Sequence, residues 1–154
     1  NTYLLGETAL AVIDPGPASS AHLAAILSAL SDDQRISHII VTHAHLDHSP
    51  LARDLSDACG APIYAFGKAS AGQSPIMQAL SAAGLAGGEG IDNTFAPDHL
   101  LADGDALDTQ DWRIFCTRLD ISVITSVWDG GTLASPPTMS WAGPARWYRH
   151  PMVT

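Results

Sequence analysis

At 154 residues the chain is long enough for one hydrophobic core and too short for two ordinary domains. Its formal charge of -9, from 16 acidic against 7 basic side chains, excludes a nucleic-acid-binding surface of the usual basic kind. Two cysteines, Cys59 and Cys116, are too few and too far apart for a disulfide framework, and no stretch approaches a membrane span, so a reducing, cytoplasmic setting is expected. The first residue, Asn1, falls in what reads as mid-strand with no leader before it, so the natural N-terminus is expected upstream.

In chain order, Ala9 to Ile13 is an apolar strand, halted at Asp14-Pro15-Gly16-Pro17 because proline cannot continue a ladder. After a Ser19-Ser20 start, Leu23, Ile26, Leu27 and Leu30 fall at helical spacing and predict one buried face, with His22 turned to water. Ile36 to Val41 is a second strand. Ser49-Pro50 then supplies a helix cap and a first-turn proline ahead of Leu51, Leu55 and Ala58, with Gly60 as the stop. A short strand is expected over Ala61 to Phe66 and a short helix over Pro75 to Ala83. Gly84 to Gly90 is glycine-rich but lacks the Lys-Ser/Thr pair of a phosphate loop. Asp103-Gly104-Asp105 predicts a hairpin turn, and Trp112 to Cys116 a strand. This alternation is α/β.

The chemistry concentrates between the second strand and the helix that follows it. In Val41-Thr42-His43-Ala44-His45-Leu46-Asp47-His48, three imidazoles and a carboxylate stand within six residues. Residues two apart point the same way as a strand ends, so His43 and His45 can converge on one cation, while Asp47 and His48 can reach a second. Imidazole nitrogen and carboxylate oxygen are the donors zinc accepts, and three protein ligands with one open position make a catalytic site. A polar strand-to-helix connection is the alternative. The position of the cluster, where α/β proteins keep their sites, favours metal. His38 and His99 have no ligand-like neighbours and read as structural or surface residues.

His43-Ala44-His45-Leu46-Asp47-His48 matches the His-x-His-x-Asp-His motif of the metallo-β-lactamase superfamily. Asn1-Thr2-Tyr3-Leu4-Leu5-Gly6 and Ala11-Val12-Ile13-Asp14-Pro15-Gly16-Pro17 resemble that family's first strands and first turn. The resemblance runs to about Cys116 and, with Leu101-Ala102-Asp103-Gly104-Asp105, leans towards the β-lactamase-like protein 2 and glyoxalase II branches. It implies an αβ/βα sandwich and a metal-dependent hydrolase. It further implies that His43 and His45 bind one zinc, that Asp47 and His48 help bind another, and that Asp47 orients the attacking water. Asp14 has two readings: a turn-capping aspartate, as in any Asp-Pro-Gly, or, by the resemblance, part of a turn that lies near the metals and steadies the motif loop.

After Cys116 the sequence changes character. Thr117 to Thr154 holds three of the four tryptophans, no lysine and no glutamate. The Thr-Pro-Gly-His segment in which the family places its third zinc histidine is missing. Back-translation offers a reason. Taking the third base of each codon with the first two of the next, Cys116 through Ile121 permits His-Thr-Pro-Gly-His. The same offset from Pro137 permits Asp-His-Val-Met-Gly-Trp-Ser-Ser-Thr-Met-Val-Ser-Pro-Pro-Asp-Gly-Asp, where the single codons of Met139 and Trp141 leave little latitude. The expectation is an N-terminal part of a metallo-β-lactamase-like domain over 1–116 and an aberrant, frameshifted tail over 117–154.

The ancestral function expected is zinc-dependent hydrolysis of a thioester, an ester or a phosphodiester, RNA included, with a lactam suiting the same centre. A small-molecule substrate is the leading partner; no membrane or DNA partner is expected. For the chain itself the expectation is an incomplete sandwich holding one zinc weakly or none, in place of the family's two, with negligible activity. The competing reading is a non-catalytic fragment that binds metal weakly; a metal-sensing or interaction module with a novel tail comes third. The tail is expected to pack poorly, to form no regular strand, to expose several of Val123, Ile124, Val127, Trp128, Trp141 and Trp147, and to bring none of Asp120, Asp129 or His150 to the cluster.

Overall fold

A computed structural model describes residues 1–69, 71, 76, 90–119 and 122–128, those from 117 onward through their backbone. Strands β1 (Tyr3–Leu5), β2 (Ala9–Ile13), β3 (Arg35–Val41), β4 (Ile63–Ala65) and β5 (His99–Leu100) form a five-stranded sheet in the order β1-β2-β3-β4-β5. β1 runs antiparallel to β2, and the other neighbours are parallel. The helices α1 (Ser20–Ser28) and α2 (Ala52–Cys59) make the crossovers from β2 to β3 and from β3 to β4. A second, antiparallel sheet has the order β6-β7-β8, from β6 (Ala106–Asp108), β7 (Arg113–Leu119) and β8 (Ser122–Trp128).

Side-chain alternation divides the core. Val12, Ile39, Val41, Ile63 and Ala65 share one cluster with Ile26 of α1 and with Leu51, Ala52 and Leu55 at α2, so both helices cover the same face. The intervening Ala11 and Ile40 point the other way and meet Trp112 and Ile114, with Tyr64 and Leu107 packed against them. The arrangement is a helix layer, a mixed sheet and a second sheet, as an α/β sandwich requires.

Polar contacts fasten the second sheet to the first. The Trp112 indole N–H donates to the Ala9 carbonyl at 2.6 Å. Gly6, at φ 117°, leaves the space this needs: a Cβ there would stand 2.8 Å from both the Ala9 oxygen and Trp112 Cδ1. Beside it, one oxygen of Asp111 accepts from the backbone N–H groups of Thr8 and Ala9 and from the Thr8 hydroxyl, at 2.7–2.9 Å. These bonds, the Ala9 and Thr8 amides foremost, hold the Asp111 carboxyl down at about 2.

Several local expectations need correction. Ser49 does not cap α2; Leu51 stands at that position with no side-chain bond, and the buried Ser49 instead serves the motif loop. Ala58 and Leu27, placed on buried faces by spacing, are exposed because each helix covers only a narrow strip of sheet. His22 is half-buried, its Nε2 2.9 Å from the Thr2 hydroxyl. Asp103-Gly104-Asp105 is a turn, with Gly104 at φ 88°, but it joins strands of different sheets; the hairpin between β6 and β7 closes where the Thr109 N–H reaches the Trp112 carbonyl. The helix expected over Pro75 to Ala83 and the glycine-rich loop over Gly84 to Gly90 lie, but for Ile76 and Gly90, outside the described residues.

The largest correction concerns the tail. β7 continues past Cys116 to Leu119, and β8 pairs with it along its whole length, from Arg113↔Trp128 to Leu119↔Ser122. The physical reason is local: Val, Ile, Thr and Trp are strand-prone whatever they pack against, and a ladder is made of backbone bonds. Asp120 and everything from Asp129 to Thr154, with Trp141, Trp147 and His150, lie outside the described residues.

Candidate metal centre

The motif lies where β3 ends, and its loop is pinned from both sides. On one side the Leu46 N–H donates to the Gly90 carbonyl and the Asp92 N–H to the Ala44 carbonyl, both at 2.9 Å. Asp92, buried, accepts from the Ser49 hydroxyl at 3.0 Å and from the Thr94 amide and hydroxyl at 3.1 and 2.7 Å. On the other side the Gly16 N–H donates to the His48 carbonyl, and the Leu51 N–H to the Gly16 carbonyl. A loop so tied loses little entropy when a ligand binds.

Asp14 is the central brace. It is 5% exposed and sits at φ 51°, a left-handed conformation that aspartate tolerates better than most residues. Its carboxylate accepts the Thr42 N–H at 2.9 Å and the Thr42 hydroxyl at 2.8 and 3.0 Å. His48 Nδ1 lies 2.9 Å from Asp14 Oδ2, within ion-pair distance but out of hydrogen-bond alignment, and that nitrogen is buried without an aligned partner.

The four predicted donors are neighbours in three pairs. The His43 and His45 rings are edge to face at 4.5 Å between centroids, and His43 and His48 are 4.0 Å apart. His48 Nε2 stands 3.1 Å from Asp47 Oδ2, and the Asp47 side chain is largely exposed. Burial lowers the pKa of His43, helped by the neighbouring His48 and His45 and opposed by Asp14 and Asp47. Neutral imidazole, the form that binds metal, is thereby favoured.

No three His, Cys, Asp or Glu side chains among the described residues converge tightly enough to form a finished metal site. The donor chemistry nonetheless fits zinc. Two ligands at about 2.0–2.2 Å in tetrahedral array lie about 3.3–3.6 Å apart, so the Asp47–His48 spacing needs only a small opening. The buried Nδ1 of His48 has no aligned hydrogen-bond partner, while its Nε2 faces Asp47. His43 and His45 would hold one ion, and Asp47 with His48 part of a second.

Of the remaining histidines, His38 lies 5.1 Å from Tyr64, stacked, and 4.9 Å edge-on from Trp112, and Tyr64 stacks on His99 at 4.8 Å. Both therefore pack in a ring row on the sheet, as their isolation in sequence suggested. Sequence reasoning missed Thr42, Ser49 and Asp92. Asp92-Asn93-Thr94 carried only an ordinary turn signal.

The Metallo-beta-lactamase superfamily model matches residues 1–110. No curated protein matches the chain. Among solved structures, a beta-lactamase domain protein from Burkholderia ambifaria is 20% identical with a TM-score of 0.54, over 84% of this chain and 44% of that one. BJP-1, a subclass B3 metallo-beta-lactamase of Bradyrhizobium japonicum, is 18% identical with a TM-score of 0.56, over 83% and 50%. The class B3 di-zinc metallo-beta-lactamase LRA-12 from an Alaskan soil metagenome is 20% identical with a TM-score of 0.52, over 79% and 48%. At these identities the likeness is one of fold, and the chain spans about half the length of each.

Proposed function

Because the chain belongs to the metallo-beta-lactamase superfamily, we propose that its gene descends from a zinc-dependent hydrolase and that this polypeptide keeps one half of that enzyme's metal centre. The observation that supports the reading is that His43 stands beside His45 and His48, and His48 beside Asp47, on one braced loop at the end of β3. Bound zinc supplies a water whose pKa falls from about 15.7 toward 7, and an electrophile for a carbonyl or phosphoryl oxygen. The protein's own part is positional. His43 and His45 present imidazoles edge to face, and Asp47, exposed beside His48, would bind metal and orient the attacking water. A thioester or ester suits the proposed branch best.

In this chain His43 and His45 hold a single ion weakly, because no third donor joins them among the described residues. Loss of a direct ligand should cost more than the roughly 10–100-fold that follows loss of a supporting residue. The missing donors belong to the other reading frame, lost at about Cys116 by a one-base deletion or an equivalent error. β8 weighs against that account, since the tail does form a strand. The two family-like strings recovered at one fixed offset weigh more: backbone pairing asks only for strand-prone residues, whereas His-Thr-Pro-Gly-His asks for a particular sequence.

The nucleotide sequence across the codons for Trp112 to Asp120 tests the frame, and an offset frame that does not encode His-Thr-Pro-Gly-His refutes it. With the frame restored, the protein should hydrolyse members of a thioester and ester panel, lose the rate to a chelator, and lose turnover far more than stability on Asp47→Asn. A rate that survives chelation would contradict the hydrolase reading.

A further inference from the structure

We propose that His38 makes the junction between the two sheets acid-sensitive: as a neutral ring it packs between Tyr64 and Trp112, and as a cation it loosens the second sheet's hold on the first. A β-bulge sets up the placement. Leu10 pairs with Ile36 and Ala11 with His38, so Ser37 is an extra residue in β3 whose side chain comes to lie beside the His38 ring. The Ser37 hydroxyl gives its one proton to the Leu10 carbonyl at 3.0 Å, which leaves its lone pairs for the His38 Nδ1–H, also at 3.0 Å. A neutral ring with its proton on Nδ1 is thereby satisfied. A second proton would go on Nε2, which meets no acceptor among the described residues.

The other groups around the ring are apolar or already engaged. Tyr64 of β4 stacks on it at 5.1 Å, with His99 of β5 stacked on Tyr64 in turn, and Trp112 meets it at 4.9 Å, edge to face. The indole N–H is committed to the Ala9 carbonyl, and Ala11, opposite His38 in register, is fully buried. Neither β2 nor β8 has a titratable residue. Asp111, beside Trp112, spends its carboxylate on Thr8 and Ala9, and Arg113 of β7 pairs with Asp108 of β6. Burial alone therefore acts on His38 and holds its pKa below the ordinary 6.5, whereas at His43 Asp14 and Asp47 oppose the same effect. The unfolded chain takes the proton more readily than the folded one, so the stability this ring contributes is fully present above 6.5 and is lost as pH falls below it. Tyr64 belongs to the same sheet as His38, so the contact that yields is the one across the junction, to Trp112.

Histidine NMR and hydrogen exchange of the metal-free chain, compared between about pH 8 and about pH 5, test this. His38 should titrate below 6.5, and acid should lower the protection factors of the β6 and β7 amides severalfold more than those of β3. His38→Phe keeps a ring that cannot take a proton, so it should remove most of that extra loss; His99→Asn, at the exposed end of the ring row, should leave it as it was. If His38→Phe does not fold, the titration of wild-type His38 and the exchange of the His99→Asn variant decide. A His38 that titrates at or above 6.5 would mean that the Tyr64 and Trp112 rings hold the cation, and would overturn the proposal. So would equal losses of protection at β3, β6 and β7, an extra loss that persists in His38→Phe, or one that disappears in His99→Asn.

Discussion

The two sheets of this molecule are secured by different means. In the five-stranded sheet the alternating residues of β2, β3 and β4 seal a core under α1 and α2, and the turn at Asp14 and the segment at Asp92 clamp the loop beyond β3. The three-stranded sheet is fixed, among described side chains, by Trp112 and Ile114 in a smaller cluster and by the bonds of Asp111. Apolar pattern, turn chemistry and buried polar contacts all agree where the site is; across the second sheet, among the described side chains, the attachment rests on a few residues around Trp112. The site is thus built on the half with redundant support, and damage to the other half should reach it last.

Removing the main fastener is the strongest way to break that contrast. Trp112→Ala should destabilise the fold by about 3–5 kcal/mol and release the second sheet first. Hydrogen exchange would then show the amides of β6 and β7 opening while β3 stays protected. Leu55→Ala, in the helix-side core, should cost about 2–5 kcal/mol and loosen the molecule as a whole. If the two variants opened the same amides, the halves would be one cooperative unit.

Gly6→Ala is a smaller probe of the same junction. The left-handed backbone and the 2.8 Å approach to the Ala9 oxygen and Trp112 should together cost at least about 1 kcal/mol by denaturant titration, and a stability equal to wild type would mean that the sheets do not meet as described. The smallest effect expected is at Asp111. Its folded pKa, about 2, lies below the ordinary 3.8, so its contribution is fully present above the ordinary value and is lost as pH falls toward 2. Asp111→Asn should be less stable than wild type at neutral pH and approach it near pH 2. A difference that did not change with pH would show that the carboxylate's bonds are not what joins the sheets.

The uneven support also explains what could be read from sequence. β2, β3, α1 and the left-handed stop at Gly60 were legible because apolar spacing and caps act locally. The four candidate donors were legible as a motif on a strand-to-helix connection, though no three of them form a metal-ready group among the described residues. Ser49 was misread because Ser-Pro is a valid cap signal, and only the tertiary approach of Asp92 diverts its hydroxyl. Thr42 was invisible: its bonds to Asp14 exist only because that residue, 28 positions away, comes within reach. β8 went unexpected since the tail was judged by its relation to a family pattern, whereas a strand needs only its own residues and a neighbour.

The central claim is that this polypeptide carries half of a zinc centre and that the other half lies in another reading frame. Zinc content after dialysis, measured on the chain and on its frame-restored counterpart, tests it most directly. The account predicts that the chain retains less than one ion, that the restored protein retains about two, and that His43→Ala with His45→Ala removes at least one of them. Zinc content in the restored protein that does not exceed the chain's, or that the double substitution leaves unchanged, would contradict it.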